Sequence, residues 1–414
     1  MRLPISDVTV RAKQRDPRRQ PTMRFRYVDV SSVSNSSFRI VETIEMEGSA
    51  APSRARKEIR AGDVLFATVR PTLKRVALVP PELHGQIAST GFIVLRADPE
   101  KLNPRYLYSR LLTDAFIKRM GELERGASYP AVRDTDVLNE VVPVPPLAEQ
   151  RKIAGVLGLV QRGMEQQERL IALTTELKKA LLLQLFTQGL HGEPQKQTEI
   201  GPVPQSWEVV TLGSLAKVGN GSTPKRGNEG YWQGGAIPWL NSTKIHERFI
   251  TEADQFVTDL AVKECHLPRV KPGSLLIAIT GQGKTLGNSA LVSFETCINQ
   301  HLAYAQFISP KLVPEFVLWF MQTRYEHLRS ISQAGGSTKG ALTCGYLKTY
   351  PIPVPSLDEQ REIVGVFAAL DRKEKMHERK HAALTALFRT LLHELMTARI
   401  RVNNLDIDAS WVEA

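Results

Sequence analysis

Two short stretches of this 414-residue chain carry residue types that do chemistry in other settings. His377-Glu378-Arg379-Lys380-His381 reads H-E-x-x-H, a spacing that sets two imidazoles on one helix face to grip zinc, with the Glu as general base. Ala278 to Thr285, AITGQGKT, follows a strand-like run and fits the looser form of a phosphate-binding loop. Each motif fails on context. The first is flanked by Lys375, Arg379 and Lys380 on a long helical stretch without a cleft, so it reads as a solvated helix face. The second needs a helix directly behind it to offer N–H groups and a dipole to phosphate, and LGNSALVSF supplies Gly, Asn and β-formers instead. Cys265, Cys297 and Cys344 are too few and too far apart for a disulfide framework or a zinc knuckle. With no N-P-P-[YF] motif, G-x-S-x-G elbow or acidic metal cluster, the chain reads as non-enzymatic, with no catalytic or metal-binding residues. A zinc metalloprotease, a P-loop nucleotide hydrolase and a coiled-coil adaptor without DNA are the competing readings.

The other chemistry on offer is recognition of an anion. The net charge is +11. Residues 1–142 hold 24 Lys and Arg against 17 Asp and Glu, residues 200–350 hold 14 against 10, and the remainder is balanced. Two separated basic blocks suit nucleic acid, where Lys and Arg position on phosphates while Arg, Lys, Asn, Gln, Ser and Thr on loops read base edges. The loop candidates in the first block are Arg54, Arg56, Lys57, Arg70, Lys74, Arg75, Arg125 and Arg133. In the second they are Lys225, Arg226, Asn241, Lys244, Gln282, Lys284, Ser337, Thr338 and Lys339.

The elements behind these loops occur twice. PVPPLAEQRKIAGV at 143–156 returns as PVPSLDEQREIVGV at 353–366, and 20 of 45 positions match from there to Thr187 and Thr397. Upstream the copies are fainter: Ala61-Gly62-Asp63 before VLFATV answers Pro272-Gly273-Ser274 before LLIAIT, and Leu102-Asn103-Pro104 answers Leu312-Val313-Pro314. The matched part carries apolar residues three and four apart, Ile153 to Leu185 and Ile363 to Leu395, as one long stripe. Ser356 with Glu359 forms a capping box. Two helices of about 60 Å each need a partner, and side-by-side antiparallel packing with pseudo-twofold symmetry is the simplest. The variable part reads as mixed α/β, with short β-rich runs and one helix per copy, 104–120 and 314–331.

The P-[VI]-P-x-x-x-E-Q-x-x-I signature at Pro143 to Ile153 and Pro353 to Ile363, the IGPVPQSWEVVTLGSLAKV segment and the order of parts resemble the specificity subunits of type I restriction-modification systems, over nearly the whole chain. The resemblance implies a mixed α+β fold with two target-recognition domains, each followed by a long helix, the helices packed as an antiparallel coiled coil. The expected division is 1–142 and 207–350 for the domains, 143–190 and 351–400 for the helices, 191–206 for a linker and 401–414 for a tail. It implies double-stranded DNA as one partner, an asymmetric bipartite site, two methyltransferase subunits holding S-adenosylmethionine, and room for a restriction-translocase subunit; this chain itself holds no cofactor. Ile153, Leu157, Val160, Leu177, Leu181, Ile363, Phe367, Leu370, Leu387 and Leu391 are the partner-facing candidates. Two features depart from the pattern: the first half lacks a counterpart of Trp207-Glu208-Val209, and DPRRQPTMRF replaces the Gly221-Ser222-Thr223-Pro224 turn. Thr174-Thr175-Glu176-Leu177 resembles one unit of the T-x-E-L repeat that sets half-site spacing in some members. No apolar run approaches the roughly 18 residues of a membrane span, and MRLPISDVTV lacks an apolar leader, so a cytoplasmic protein is expected.

Overall fold

A computed structural model describes residues 1–281, 284–334 and 341–402, with the backbone alone for 332–334. Two compact units emerge, Met1–Leu170 with His377–Ala414, and Ile171–Met376. Both long helices, Leu147–Gln188 and Leu357–Met396, cross from one unit to the other, so each unit owns a piece of both.

In the first unit a four-stranded antiparallel sheet runs in the order Thr9–Arg11, Phe92–Ala97, Val64–Ala67, Val76–Leu78. Its strand Val64–Ala67 is buried at every residue. Because successive side chains alternate in direction, Val64 and Phe66 join a core with the helices, while Leu65 and Ala67 face a second core. A second four-stranded sheet runs in the order Ile44–Glu47, Arg24–Val28, Ile87–Ser89, Ala55–Glu58.

The second unit repeats this plan. Ala216–Asn220, Leu302–Phe307, Leu275–Ala278 and Ser289–Val292 form the same antiparallel order, extended by Phe249–Ile250. The register repeats as well: Phe66 lies opposite Ile93 as Ile277 lies opposite Ala303. Leu275 and Ile277 again face the helical core and Leu276 and Ala278 the other side. The helix expected over 104–120 is two helices, Pro104–Leu111 and Asp114–Leu123, because Thr113 ends one and caps the next, its hydroxyl accepting from Phe116 N. The helix expected over 314–331 is likewise split, Pro314–Thr323 and Tyr325–Ala334. Within 191–206, Gln195–Thr198 and Gly201–Pro204 pair as a hairpin whose Val203 is fully buried.

The repeated E-Q motif is explained by its glutamines. Gln150 and Gln360 are both wholly buried at the first turn of their helices. Gln150 Nε2 donates to Lys101 O (2.9 Å) and Pro145 O (2.8 Å), and its Oε1 accepts from Asn103 N (2.8 Å). Gln360 makes the same three bonds with Lys311 O (2.8 Å), Pro355 O (2.9 Å) and Val313 N (2.8 Å). Each amide thus satisfies loop backbone groups that no helix or strand bond reaches, stapling a long helix to the loop that enters Pro104–Leu111 in one half and Pro314–Thr323 in the other. At the far end of the first long helix Gly189, at φ +64°, closes the last turn in the left-handed conformation.

Within each unit the helix pieces run antiparallel: Gly163 faces Leu384 and Glu168 meets His381 in the first, while Thr175 meets Glu374 and Lys178 meets Asp371 in the second. The continuous apolar seam expected from the leucine spacing is absent. Leu173, Leu177 and Leu387 are about half exposed, whereas Gln167, Lys178 and His377 are buried. The middle of the helices is held by polar pairs, and the leucines there point outward.

Candidate nucleic-acid interface

In the first unit, backbone bonds tie the candidate loops to their neighbours. Arg15 N donates to Arg56 O, Thr90 N to Arg54 O, and Arg70 N to Pro130 O, while Arg125 and Ala131 exchange a backbone pair. Arg54, Arg70, Arg125 and Arg133 are exposed. Arg70 adopts a left-handed φ of 49° and lays its guanidinium 5.4 Å over the exposed Tyr129 ring. Strain of this kind in a non-glycine residue tends to mark functional loops. Arg125 pairs with Asp136 at 2.5 Å, which, with the Arg133 backbone N–H, holds that carboxyl below its ordinary value.

Other candidates are tied into the fold. Lys57 pairs with Asp134 at 2.7 Å, Lys74 pairs with Asp114, and Arg56 pairs with Asp16. Arg75 Nη1 donates to the Val30 and Ser31 carbonyls at 3.1 and 3.2 Å. These four side chains anchor loops.

In the second unit Lys225, Arg226 and Lys284 are exposed. The turn carrying the first two lies against the end of a sheet strand: Ser222 N donates to Ile298 O at 3.0 Å, and a Cβ on Gly221 would come within 1.9 Å of that same oxygen. Thr223 bonds Gln300, Gln300 bonds His301 at 3.3 Å, and His301 bonds Thr280, so base-reading residue types form a strip beside the turn. Asn241 spends its carbonyl on Thr243 N (2.9 Å) as a helix cap. Lys244 is buried against Glu247 (2.8 Å) and Asp254 (3.2 Å), and the Glu247 bond raises its pKa, so it is a structural cation. Gln282, Ser337, Thr338 and Lys339 lie outside the described residues.

Neither enzyme-like motif survives in space. The strand Leu275–Ala278 that opens the AITGQGKT segment has Ser289–Val292 as its antiparallel partner, and among the described residues between them there is no helix to receive phosphate. His377 is no solvated residue: it is buried, with Nδ1 2.8 Å from Gln167 Oε1. His381 Nε2 sits 3.2 Å from Glu168 Oε1. Among the described residues no group of three His, Cys, Asp or Glu could hold a metal.

Two arginines that sequence reading passed over link each domain to its helices. Arg39 reaches Glu165 (3.3 Å) and Glu168, and Arg248 bonds Asp371 at 3.0 and 3.2 Å while stacking 4.6 Å over Trp319. Trp207, wholly buried, donates from Nε1 to Glu359 at 3.0 Å. The near-equal offset of Arg39 and Arg248 was the signal available, but neither lies in a matched stretch. Of the partner-facing candidates, Ile153, Leu157, Val160, Ile363 and Phe367 are buried in their own unit's core. Leu181, Leu370 and Leu391 are half-buried, and Leu177 and Leu387 face outward.

The type I restriction modification DNA specificity domain matches this chain twice, over residues 6–180 and 204–386. The chain belongs to that family. It is 25% identical over 392 residues to the putative type I restriction enzyme MjaX specificity subunit of Methanocaldococcus jannaschii, covering 92% of this chain and 87% of that one. The MjaIX specificity subunit of the same organism is 32% identical over 194 residues, 44% of this chain and 43% of that one. A chain solved in a study of complex assembly and conformational transition of the type I R-M system is 29% identical, with a TM-score of 0.59 and coverage of 96% and 97%. The S subunit from M. genitalium shares the fold, with a TM-score of 0.58 at 15% identity over 95% of each chain. As a type I specificity subunit the chain is non-catalytic, and its partners carry the enzymatic activity. The matching family model is that of a DNA specificity domain, which implies DNA recognition. Among the described residues no helix is long and apolar enough to cross a membrane.

Proposed function

We propose that residues 1–142 and 207–350 are two target-recognition domains, each reading one half of an asymmetric bipartite site in double-stranded DNA. The helical segments 143–190 and 351–400 set the distance between the half-sites and dock two methyltransferase subunits, which hold S-adenosylmethionine, in a cytoplasmic assembly with room for a restriction-translocase subunit. Residues 191–206 join the halves and 401–414 form a tail, of which 403–414 lie outside the described residues. One observation carries this reading. The same sheet order and the same buried glutamine staple occur once per half, while the exposed loop cations differ between the halves. A shared scaffold with divergent loops suits two readers of different bases on one ruler.

The ruler is tested by inserting four residues after Leu177 together with four after Arg372, the level at which Lys178 meets Asp371. The helices lengthen by about 6 Å, close to two base pairs at roughly 3.4 Å each, with about 40° of rotation left over. Mapping methylated bases in DNA treated with the reconstituted complex should give both half-sites unchanged and a longer spacer. An active insertion variant with the original spacer refutes the reading.

A further inference from the structure

We propose that Arg226 is the guanine-reading side chain of the second recognition domain, presented on a platform of Trp232 and Trp239. The proposal rests on the DNA-recognition reading above and deepens it to one residue and one base.

The turn that carries Arg226 is held by two indole N–H groups: Trp239 Nε1 donates to Ser222 O at 3.2 Å and Trp232 Nε1 to Lys225 O at 3.3 Å. The rings themselves meet edge to face, 5.2 Å between centroids and 88° apart. The guanidinium lies 3.9 Å over the Trp232 ring and 5.0 Å from that of Trp239, and its Nη2 donates to Gln255 Oε1 at 2.7 Å. An exposed arginine ordinarily samples many rotamers, and this one is already fixed before any ligand arrives.

Its partners separate it from its neighbours. Lys244 is neutralised by Glu247 and Asp254, Arg248 by Asp371, and Arg269 by Asp259 and Glu295. Among the described residues Arg226 has no carboxylate, and its one polar side-chain partner, Gln255, is neutral. Stacking occupies the face of the guanidinium and leaves the planar edge with donors to offer. That edge matches the two acceptors O6 and N7 of guanine in the major groove, whereas adenine presents an N–H donor in place of O6. The strip Thr223, Gln300, His301 and Thr280 continues from the same turn, so the arginine sits at the end of a row of groups suited to base edges. Residues 1–206 contain no tryptophan, Arg18 in the stretch that replaces this turn is bonded to Asp16, and the stacked arginine described there, Arg70, lies over a tyrosine, Tyr129. The two-indole platform therefore belongs to one half-site only.

The test uses the full chain reconstituted with its methyltransferase on a pool of random duplexes, with methylated sites sequenced. Wild type, Arg226→Ala, Arg226→Lys and Trp232→Leu are compared. Arg226→Ala should lower the preference for guanine over adenine at one position of one half-site by roughly 10- to 100-fold, leaving every other position unchanged. Arg226→Lys should keep binding yet lose most of that preference, because an ammonium makes no paired contact. Trp232→Leu should fall between. A uniform loss of binding that Lys restores, with no position changed, makes Arg226 a phosphate contact and overturns the assignment. An unaltered site in all three variants overturns it too. A wild-type complex that shows no bipartite preference sinks the underlying reading and this one with it.

Discussion

Replacing Gln360 by methionine keeps the length and most of the volume of the side chain while deleting its amide. The Lys311 and Pro355 carbonyls and the Val313 N–H then lose their partners at a site where Gln360 is 0% exposed. A buried polar group left unpaired costs about 1–3 kcal/mol, and partial relaxation of the loop recovers some of it. A net loss of about 3–5 kcal/mol follows for the three together. For a unit of this size 1 kcal/mol shifts Tm by about 2–4 °C, so the transition should fall by roughly 6–20 °C in differential scanning calorimetry of the full chain. Gln150→Met supplies the internal control, because its three bonds repeat those of Gln360 to within the same distances. Both variants should lose similar stability, each in its own unit if the two transitions resolve. A loss below about 1 kcal/mol in either variant, or a large loss in one alone, refutes the view that this glutamine is what the repeated motif preserves.

Leu177→Asp with Leu387→Asp should change stability by no more than about 0.5 kcal/mol, since both side chains are about half exposed, yet prevent co-elution with the methyltransferase in size-exclusion chromatography; retained assembly removes this outward face from the docking surface. Glu374 is pushed up by burial but more than offset by Lys178 and Thr175, which hold it below 4.5. Its contribution is therefore present above that value and lost as pH falls through the lowered one, so Glu374→Gln should flatten the acid limb of the stability curve measured in urea from about pH 4.5 downward. An unchanged acid limb refutes the pairing.

The duplication, the two long helices and the basic blocks were legible in the sequence because they depend on local period and on composition. A 3.6-residue rhythm is visible in the chain itself, and 20 of 45 identities announce the repeat without any knowledge of packing. What the leucines face was not legible. Spacing tells which residues share a side of a helix, but the neighbours on that side come from elsewhere in the chain, and here Lys178 with Asp371 and Gln167 with His377 took the middle of the seam that Leu177 and Leu387 were expected to fill. The cations show the same division. Arg226 and Lys244 look alike on a loop in sequence. Only the fold brings Glu247 and Asp254 around one and two indoles beneath the other, because the charge a cation keeps for a ligand is decided by partners distant in the chain.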